Sequence, residues 1–309
     1  MRMLVTGGAG FIGSHVVREL LKRGHQVVVL DNISTGFLDN LEAIKDSLEV
    51  IRGDVEDTQT IEMAIRDCQV VYHLAASVGN QRSMVDPIHD ASVNLIGTLN
   101  VLNAARAHQV RKVVLASSAG IFGEPIRLPV DEDHPTHPDS PYGVSKLAAE
   151  HMACVYQRLF GLSTVALRYF NVYGPLQRYD AYGNVIPIFA QQLLRKEPLT
   201  IYGDGCQTRD FVSVVDVARA TVVAGLVKEA SGVYNIGTGS SITLNQLVDT
   251  MQDVTGMTPE VRYVNPRPGD VRHSLASIAW ASRDFDYVPT VTLNEGLQDY
   301  FAWLSGWVS

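Results

Sequence analysis

The 309-residue sequence predicts an α/β fold, a doubly wound parallel sheet followed by a smaller mixed α/β region. Two observations carry this. Through the first half, short β-branched runs alternate with helical patterns, and those runs are nearly continuous in apolar residues, as strands covered on both faces are. From about residue 171 the rhythm breaks, and the turn signals YGP, AYGN, YGDG and RPGD crowd between shorter elements.

RMLVTG reads as the first strand and is followed by a helix to about Lys22. QVVVLDN, LEVIRGD, QVVYHLAA and KVVLASS are the next four strands, with helical stretches between most of them. VYNIGTG at 233 to 239 has the pattern of another strand, able to return to the main sheet. The expected organisation is therefore a main domain over 1–170, joined by returning elements near 210–240, and a second region over 171–309. No internal repeat, low-complexity tract or linker interrupts it.

Hydrophobic residues make up 46% of the chain and charged residues 19%, enough apolar material for a sizeable core. The formal charge of −8 comes without a Lys/Arg-rich segment, which argues against a nucleic-acid or membrane surface and requires any anionic ligand to be held by local groups. The chain starts directly in a strand pattern with no basic leader, and no apolar run is long enough to cross a bilayer, so a cytoplasmic location is expected. Cys68, Cys154 and Cys206 are far apart with no CxxC spacing and are expected as buried or half-buried free thiols. DEDHPTHPD at 131 to 139 gathers histidines and acids, but its prolines predict an irregular exposed loop without the rigid support a metal requires, so no metal is expected. His73, inside a strand run, reads as a satisfied core histidine, and the aromatic residues Phe285, Tyr287, Tyr300, Phe301, Trp303 and Trp307 as a C-terminal helix packing down.

TGGAGFIG follows the first strand directly and opens the first helix, with Gly7, Gly10 and Gly13 at GxxGxxG spacing. Glycine allows a tight turn and a close backbone approach to a pyrophosphate, and the helix N-terminus offers free N–H donors and a positive dipole end. The second strand ends in Asp31, about 20 residues further on, where a carboxylate can accept hydrogen bonds from an adenosine ribose diol. This is a Rossmann-type dinucleotide fingerprint, and because the acid would repel a 2′-phosphate it favours NAD over NADP. Asp54 and Val55, after the third strand, stand where an adenine edge could be met, although GDV could equally be a turn.

In SPYGVSK, Tyr142 and Lys146 lie four residues apart at the start of a long helical pattern and so share one side of it. Ala149 and Ala153 continue that side, while Val144, Ala148, Met152, Val155 and Leu159 form an apolar stripe opposite. An adjacent ammonium favours a phenolate and brings it into range for proton transfer near neutral pH. ASSAGIFG at 116 to 123 ends the fifth strand in hydroxyls, at the carboxyl end where such sheets bind ligands, so Ser118 can share a proton with the same substrate oxygen.

With TGGAGFIG, Asp31-Asn32, HLAA, SSAGIFG, SPYGVSK, RYFNVYGP, IYGDG, TRDFVSVVD, NIGTG and RPGD in this order, the chain resembles the extended short-chain dehydrogenase/reductases, and within them the NAD-dependent nucleotide-sugar epimerases and dehydratases. The resemblance implies a catalytic set of Ser118, Tyr142 and Lys146. It implies cofactor contacts at Phe11, Ile12, Asp31 to Gly36 including Asn32, Asp54, Val55, Leu74, Ala75, Ala76, Asn94 and Phe170. It implies nucleotide-sugar contacts at Asn171, Asn184, Val185, Tyr202, Arg209, Arg267 and Asp270, and a homodimer formed through two helices of each subunit. Family dehydratases carry an Asp-Glu pair just after the catalytic hydroxyl residue, and family decarboxylases usually keep a glutamate in the same stretch; here Ala119 and Gly120 follow Ser118. What remains suffices for 4-epimerisation of a UDP-sugar. Glucose-restricted members tend to place a tyrosine where this chain has Ser274, so the resemblance extends the expected substrates to N-acetylated hexoses. Asn171 counts mildly against a uronate, the lysine that some epimerases use falls near Val78, and Phe122 replaces a signature tyrosine as a packing change.

Overall fold

The computed structural model describes residues 1–180, 183–267 and 270–308. Ala181 and Tyr182 of AYGN, Pro268 and Gly269 of RPGD, and the side chain of Trp307 lie outside the described residues.

Seven parallel strands form the central sheet: β1 Arg2–Thr6, β2 Gln26–Asp31, β3 Leu48–Arg52, β4 Val70–His73, β5 Lys112–Ser118, β6 Ser163–Tyr169 and β7 Gly232–Ile236. Their order is β7-β6-β5-β4-β1-β2-β3. The five strands expected in the first half are present, and VYNIGTG returns to the sheet edge as β7, paired with β6. β6 was not anticipated as a strand, although STVALRY is β-branched and apolar enough to be one.

Side chains alternate between the faces at the strand period of two. Met3, Val5, Val27 and Val29 enter one core with α1 (Phe11–Lys22), whereas Leu4, Val28 and Leu30 enter another with α2 (Thr58–Ala64), α3 (Gly97–Ala107) and α4 (Pro141–Phe160). Burial on both faces explains why the strands are apolar throughout. A third core is built by α5 (Val185–Leu194), α7 (Leu244–Thr255) and α8 (Leu293–Val308), whereas α6 (Val214–Leu226) packs on the sheet beside α1. Tyr300, Phe301 and Trp303 do pack down from α8, but Phe285 and Tyr287 belong to the main core, because the short helix Ala279–Phe285 lies against β7.

Two local expectations are corrected, and the orientation of α4 is settled. Cys206 is exposed, in a turn where its N–H donates to Asp204, while Cys68 is buried and Cys154 half-buried. The 131–139 segment is irregular but partly internal: Glu132 and His134 are buried, with the Asn235 N–H donating to Glu132 Oε1 and the Ile126 N–H to His134 Nε2. On α4 the apolar stripe faces outward, with Val144, Met152 and Leu159 exposed. The buried side is that of Lys146, Ala149, Glu150 and Ala153, because the small alanines let the helix lie close on β5 and β6.

Among the described residues no helix is long and apolar enough to cross a membrane, and no group of His, Cys, Asp and Glu could hold a metal ion.

Candidate active site

The strand order reverses between β1 and β4, and the chain leaves both strands toward a common crevice, where open α/β sheets bind ligands. Gly7 follows β1 with φ +69°, and a Cβ there would lie 2.6 Å from the Ala75 nitrogen, so the glycine loop and the Leu74–Ala76 segment touch backbone to backbone. A Cβ on Gly13 would stand 2.0 Å from the Gly7 carbonyl oxygen. Gly10 is the N-cap of α1 and supplies no side-chain acceptor, which leaves the helix N-terminus available to an anion.

Asp31 ends β2 beneath this loop and is buried. The Ala9 N–H donates to its Oδ2 at 2.9 Å and the Ile33 N–H to its Oδ1 at 2.8 Å. The turn and the loop are thus tied by one carboxylate, whose pKa burial raises despite the two backbone donors. Asn32 Nδ2 donates to Asp54 Oδ2 at 2.6 Å, bringing the ends of β2 and β3 together. Val55 is buried and its carbonyl accepts from Asn100. Phe11 and Ile12 are half-buried at the start of α1. Asn94 lies in a π-helical turn, Ser92–Ile96, and holds Ser77 by both backbone groups, accepting from its N–H and donating to its carbonyl at 2.9 Å each. Such turns often mark functional positions.

α4 begins where Ser140 caps it, the Gly143 N–H donating to Ser140 Oγ at 3.1 Å and Pro141 taking the first helical position. The cap is itself held, since Ser140 Oγ donates to Asn80 Oδ1. Tyr142 is half-buried and Lys146 buried one turn later. A Cβ on Gly120 would lie 3.3 Å from Ser118 Oγ and 3.6 Å from the Tyr142 ring, so the chain passes closely between the two.

The phenol differs from its expected state. Burial pushes the Tyr142 pKa up, a hydrogen bond with Ser118 pulls it down, and nearby Asp90 raises it. Burial also pushes Lys146 down to about 8, against the pull of Asp90. Burial, not the ammonium, therefore sets the direction of the Tyr142 shift. His73 is a satisfied core histidine: it shares hydrogen bonds with Thr6 and Thr98, and burial pushes its pKa down to about 3.

Phe170 is buried against Phe122, and its N–H donates to the Ile236 carbonyl of β7. Asn171 donates to the Asp210 carbonyl through Nδ2 and its backbone N–H. On the other lobe Arg209 faces Asp270 at 3.6 Å, and the Arg267 guanidinium lies 3.8 Å from the Tyr202 ring centroid. The Ser274 N–H donates to the Thr208 carbonyl, which fixes its half-buried side chain beside this group. Asn184 is the exposed N-cap of α5 without a side-chain cap bond, followed by half-buried Val185. Arg272 makes a two-point ion pair with Asp204, and its N–H donates to Glu124 Oε2 at 2.7 Å, linking the lobes.

Asp90 and Glu150 were not anticipated. Asp90 is buried, accepting from Ser145 Oγ and Asn94 Nδ2, and no local pattern distinguishes it from a surface acid. Glu150 does carry a signal, standing four residues beyond Lys146 on the same side of the helix.

The sequence profile of the NAD dependent epimerase/dehydratase family matches residues 3–237. The UDP-glucose 4-epimerase of Mycolicibacterium smegmatis is 39% identical over 301 residues, covering 96% of each chain. A structure of the Thermotoga maritima UDP-glucose 4-epimerase with UDP-glucose is 37% identical, with TM-score 0.95 and full coverage of both chains. A structure of a UDP-N-acetylglucosamine 4-epimerase from Methanobrevibacter ruminantium, in complex with UDP-N-acetylmuramic acid, is 34% identical with TM-score 0.95, covering 99% of this chain and 98% of the other.

Proposed function

Because the chain belongs to the NAD-dependent epimerase/dehydratase family, we propose that it interconverts the C4 epimers of a UDP-hexose, UDP-glucose and UDP-galactose, through a transient 4-keto sugar. The observation that carries this reading is that Ala119 and Gly120 follow Ser118, with Gly120 lying between Ser118 Oγ and the Tyr142 ring, where an elimination would call for carboxylates.

NAD fits the crevice. Side chains larger than hydrogen are sterically excluded from Gly7 and Gly13, the N-terminus of α1 is uncapped by side chains, and Asp31 stands at the end of β2. Gly7, Gly10, Phe11, Ile12 and Gly13 would hold its pyrophosphate, Asp31 and Asn32 its ribose, Asp54 and Val55 its adenine, and Leu74–Ala76, Asn94 and Phe170 its remaining length. When bound, NAD supplies the hydride acceptor and donor for the sugar's C4.

Tyr142 takes the proton of the 4-hydroxyl and later returns it, and Ser118 shares the hydrogen bond to the same oxygen. Lys146 favours the phenolate once positive charge and substrate enclose the site. Arg209 and Arg267 grip the diphosphate, exchanging Asp270 and the Tyr202 face for phosphate oxygens. Asn171, Asn184 and Val185 bound the sugar nucleotide, Tyr202 stacks on the base, and Asp270 meets the ribose. Ser274 leaves room for a 2-acetamido group, and the similar Methanobrevibacter protein is a UDP-N-acetylglucosamine 4-epimerase. Residues 1–170 with β7 thus carry the cofactor, and most of 171–309 carries the nucleotide sugar.

The stripe of α4, Val144, Met152 and Leu159, is exposed, as is Ile96 near the start of α3. A second copy covering this stripe would remove apolar surface from water, and a homodimer through α3 and α4 is the assembly we assign. The cofactor and nucleotide-sugar chemistry suits a cytoplasmic enzyme.

Incubation with UDP-galactose and UDP-N-acetylgalactosamine, followed by product analysis, tests the reading. Epimers of unchanged mass support it; loss of water, or no turnover, overturns it. Tyr142→Phe should fold and hold NAD while losing about 100-fold or more in kcat. Ser274→Tyr should abolish the N-acetylated activity selectively, and its retention would refute the role of Ser274.

A further inference from the structure

One buried carboxylate outside the proposed catalytic set connects every element that carries it. β5 and β6 run side by side with Ser117 opposite Arg168 and Ser118 opposite Tyr169. Glu150 reaches this pair from α4. Ser117 Oγ donates to Glu150 Oε2 at 2.7 Å, Arg168 Nε to the same oxygen at 3.0 Å, and Arg168 Nη2 to Oε1 at 2.7 Å. The Arg168 side chain is 6% exposed and that of Glu150 1%. Nη1 of Arg168 donates to the Glu132 carbonyl at 2.9 Å, and its guanidinium lies 5.2 Å from the Phe122 ring centroid. Both oxygens of the carboxylate and all three guanidinium nitrogens are thereby engaged.

Stability alone does not account for such a site. A buried ion pair recovers its desolvation cost poorly, and apolar side chains of similar volume often serve as well or better. What it provides is direction. Glu150 lies one turn from Lys146 and two from Tyr142 on the inward side of α4; Ser117 immediately precedes Ser118, and Arg168 stands three residues before Asn171. Elsewhere the helix is held by the Ser140 cap at its start, by Ser145 donating to Asp90, by Tyr156 donating to Asn103 and by the Thr164 hydroxyl of β6 donating to the Ala153 carbonyl; the Glu150 cluster is the tie to β5 beside Ser118.

We infer that Glu150 is a positioning residue for the reaction: through Ser117 and Arg168 it fixes the register of α4 on β5 and β6, and with it the placement of Tyr142 relative to Ser118 across Gly120. This rests on the proposed role of those two hydroxyls. The ends of the tether are Ser117 Oγ and Glu150, both outside the proposed catalytic and binding sets.

Two NAD-loaded variants test it. Ser117→Ala removes one hydrogen bond and leaves the ion pair. Glu150→Leu/Arg168→Met replaces the pair by apolar volume. Each should remain folded with NAD bound, and kcat for UDP-galactose should fall about tenfold or more while KM stays within about twofold, as a misplaced catalytic group produces. In parallel, 3-fluorotyrosine at position 142 gives a ¹⁹F resonance that should move in Ser117→Ala. Wild-type kcat in either variant, or an unmoved resonance in Ser117→Ala, overturns the inference. Failure of the wild-type chain to turn over any UDP-hexose would count against the proposed function instead, and the resonance would still decide the positioning.

Discussion

Gly7 and Gly24 both have left-handed backbones, φ +69° and +75°, but differ in what surrounds them. A Cβ at Gly24 meets nothing within 4 Å, whereas one at Gly7 would lie 2.6 Å from Ala75 N, 2.8 Å from Ala75 Cα and 2.9 Å from Leu74 C. Alanine at either position costs roughly 1–2 kcal/mol for the backbone conformation. At Gly7 the overlap is with backbone, so it is relieved only by moving the glycine loop away from the segment after β4, at about 1–3 kcal/mol more. Gly24→Ala should therefore lower the thermal midpoint by about 1.5–3 °C and leave NAD affinity unchanged. Gly7→Ala should lose about 2–5 kcal/mol and bind NAD roughly 5- to 150-fold more weakly, because the same displacement opens the cradle. Calorimetry of apo and NAD-loaded protein, with NAD titration by fluorescence, separates the two effects. NAD affinity of Gly7→Ala within twofold of wild type would refute the assignment of this close approach to cofactor binding.

Since burial raises the Tyr142 pKa and the Ser118 hydrogen bond lowers it, Ser118→Ala should raise it further. The proton-accepting phenolate is then populated only at higher pH, so the rising limb of kcat/KM should move to the alkaline side with kcat down about 10–100-fold; a limb that stays in place or moves to acid refutes the coupling. Leu159→Glu alters an exposed position, so thermal stability should change by less than about 0.5 kcal/mol apart from any loss of association. Sedimentation velocity should show monomer in place of dimer, and an unchanged dimer would exclude this stripe as the interface. Lys112, buried at the start of β5, donates through Nζ to the carbonyls of Val227 and Ala230 at 2.5 and 2.7 Å. Lys112→Met should strand these acceptors and cost about 2–4 kcal/mol by urea denaturation with NAD affinity kept; a loss below about 1 kcal/mol would refute that capping role.

The parallel sheet was legible because burial on both faces writes itself into composition: β1, β2, β4 and β5 are apolar at nearly every position. The glycine loop and Asp31 were legible because steric exclusion and charge at a fixed spacing are local properties. Asp90 was not, since its importance lies in Ser145 and Asn94 being brought to it by two different helical segments. Tyr142 shows the same division. Its identity and its alignment with Lys146 follow from the helix repeat, but its proton affinity depends on burial, which no spacing encodes, and burial reverses the direction expected from the ammonium alone.

The helix that bears Tyr142 makes the limit of periodicity plain. A 3.6-residue pattern states which side chains share a face and leaves open which face turns inward. On α4 the inward face carries Tyr142, Lys146 and Glu150 with alanines between them, since those groups must reach the sheet and the crevice. The larger apolar residues Val144, Met152 and Leu159 are consequently displaced to the outside. A helix obliged to point its polar groups at the reaction cannot bury both faces in one subunit, so its apolar stripe is left on the surface, where the proposed homodimer would cover it.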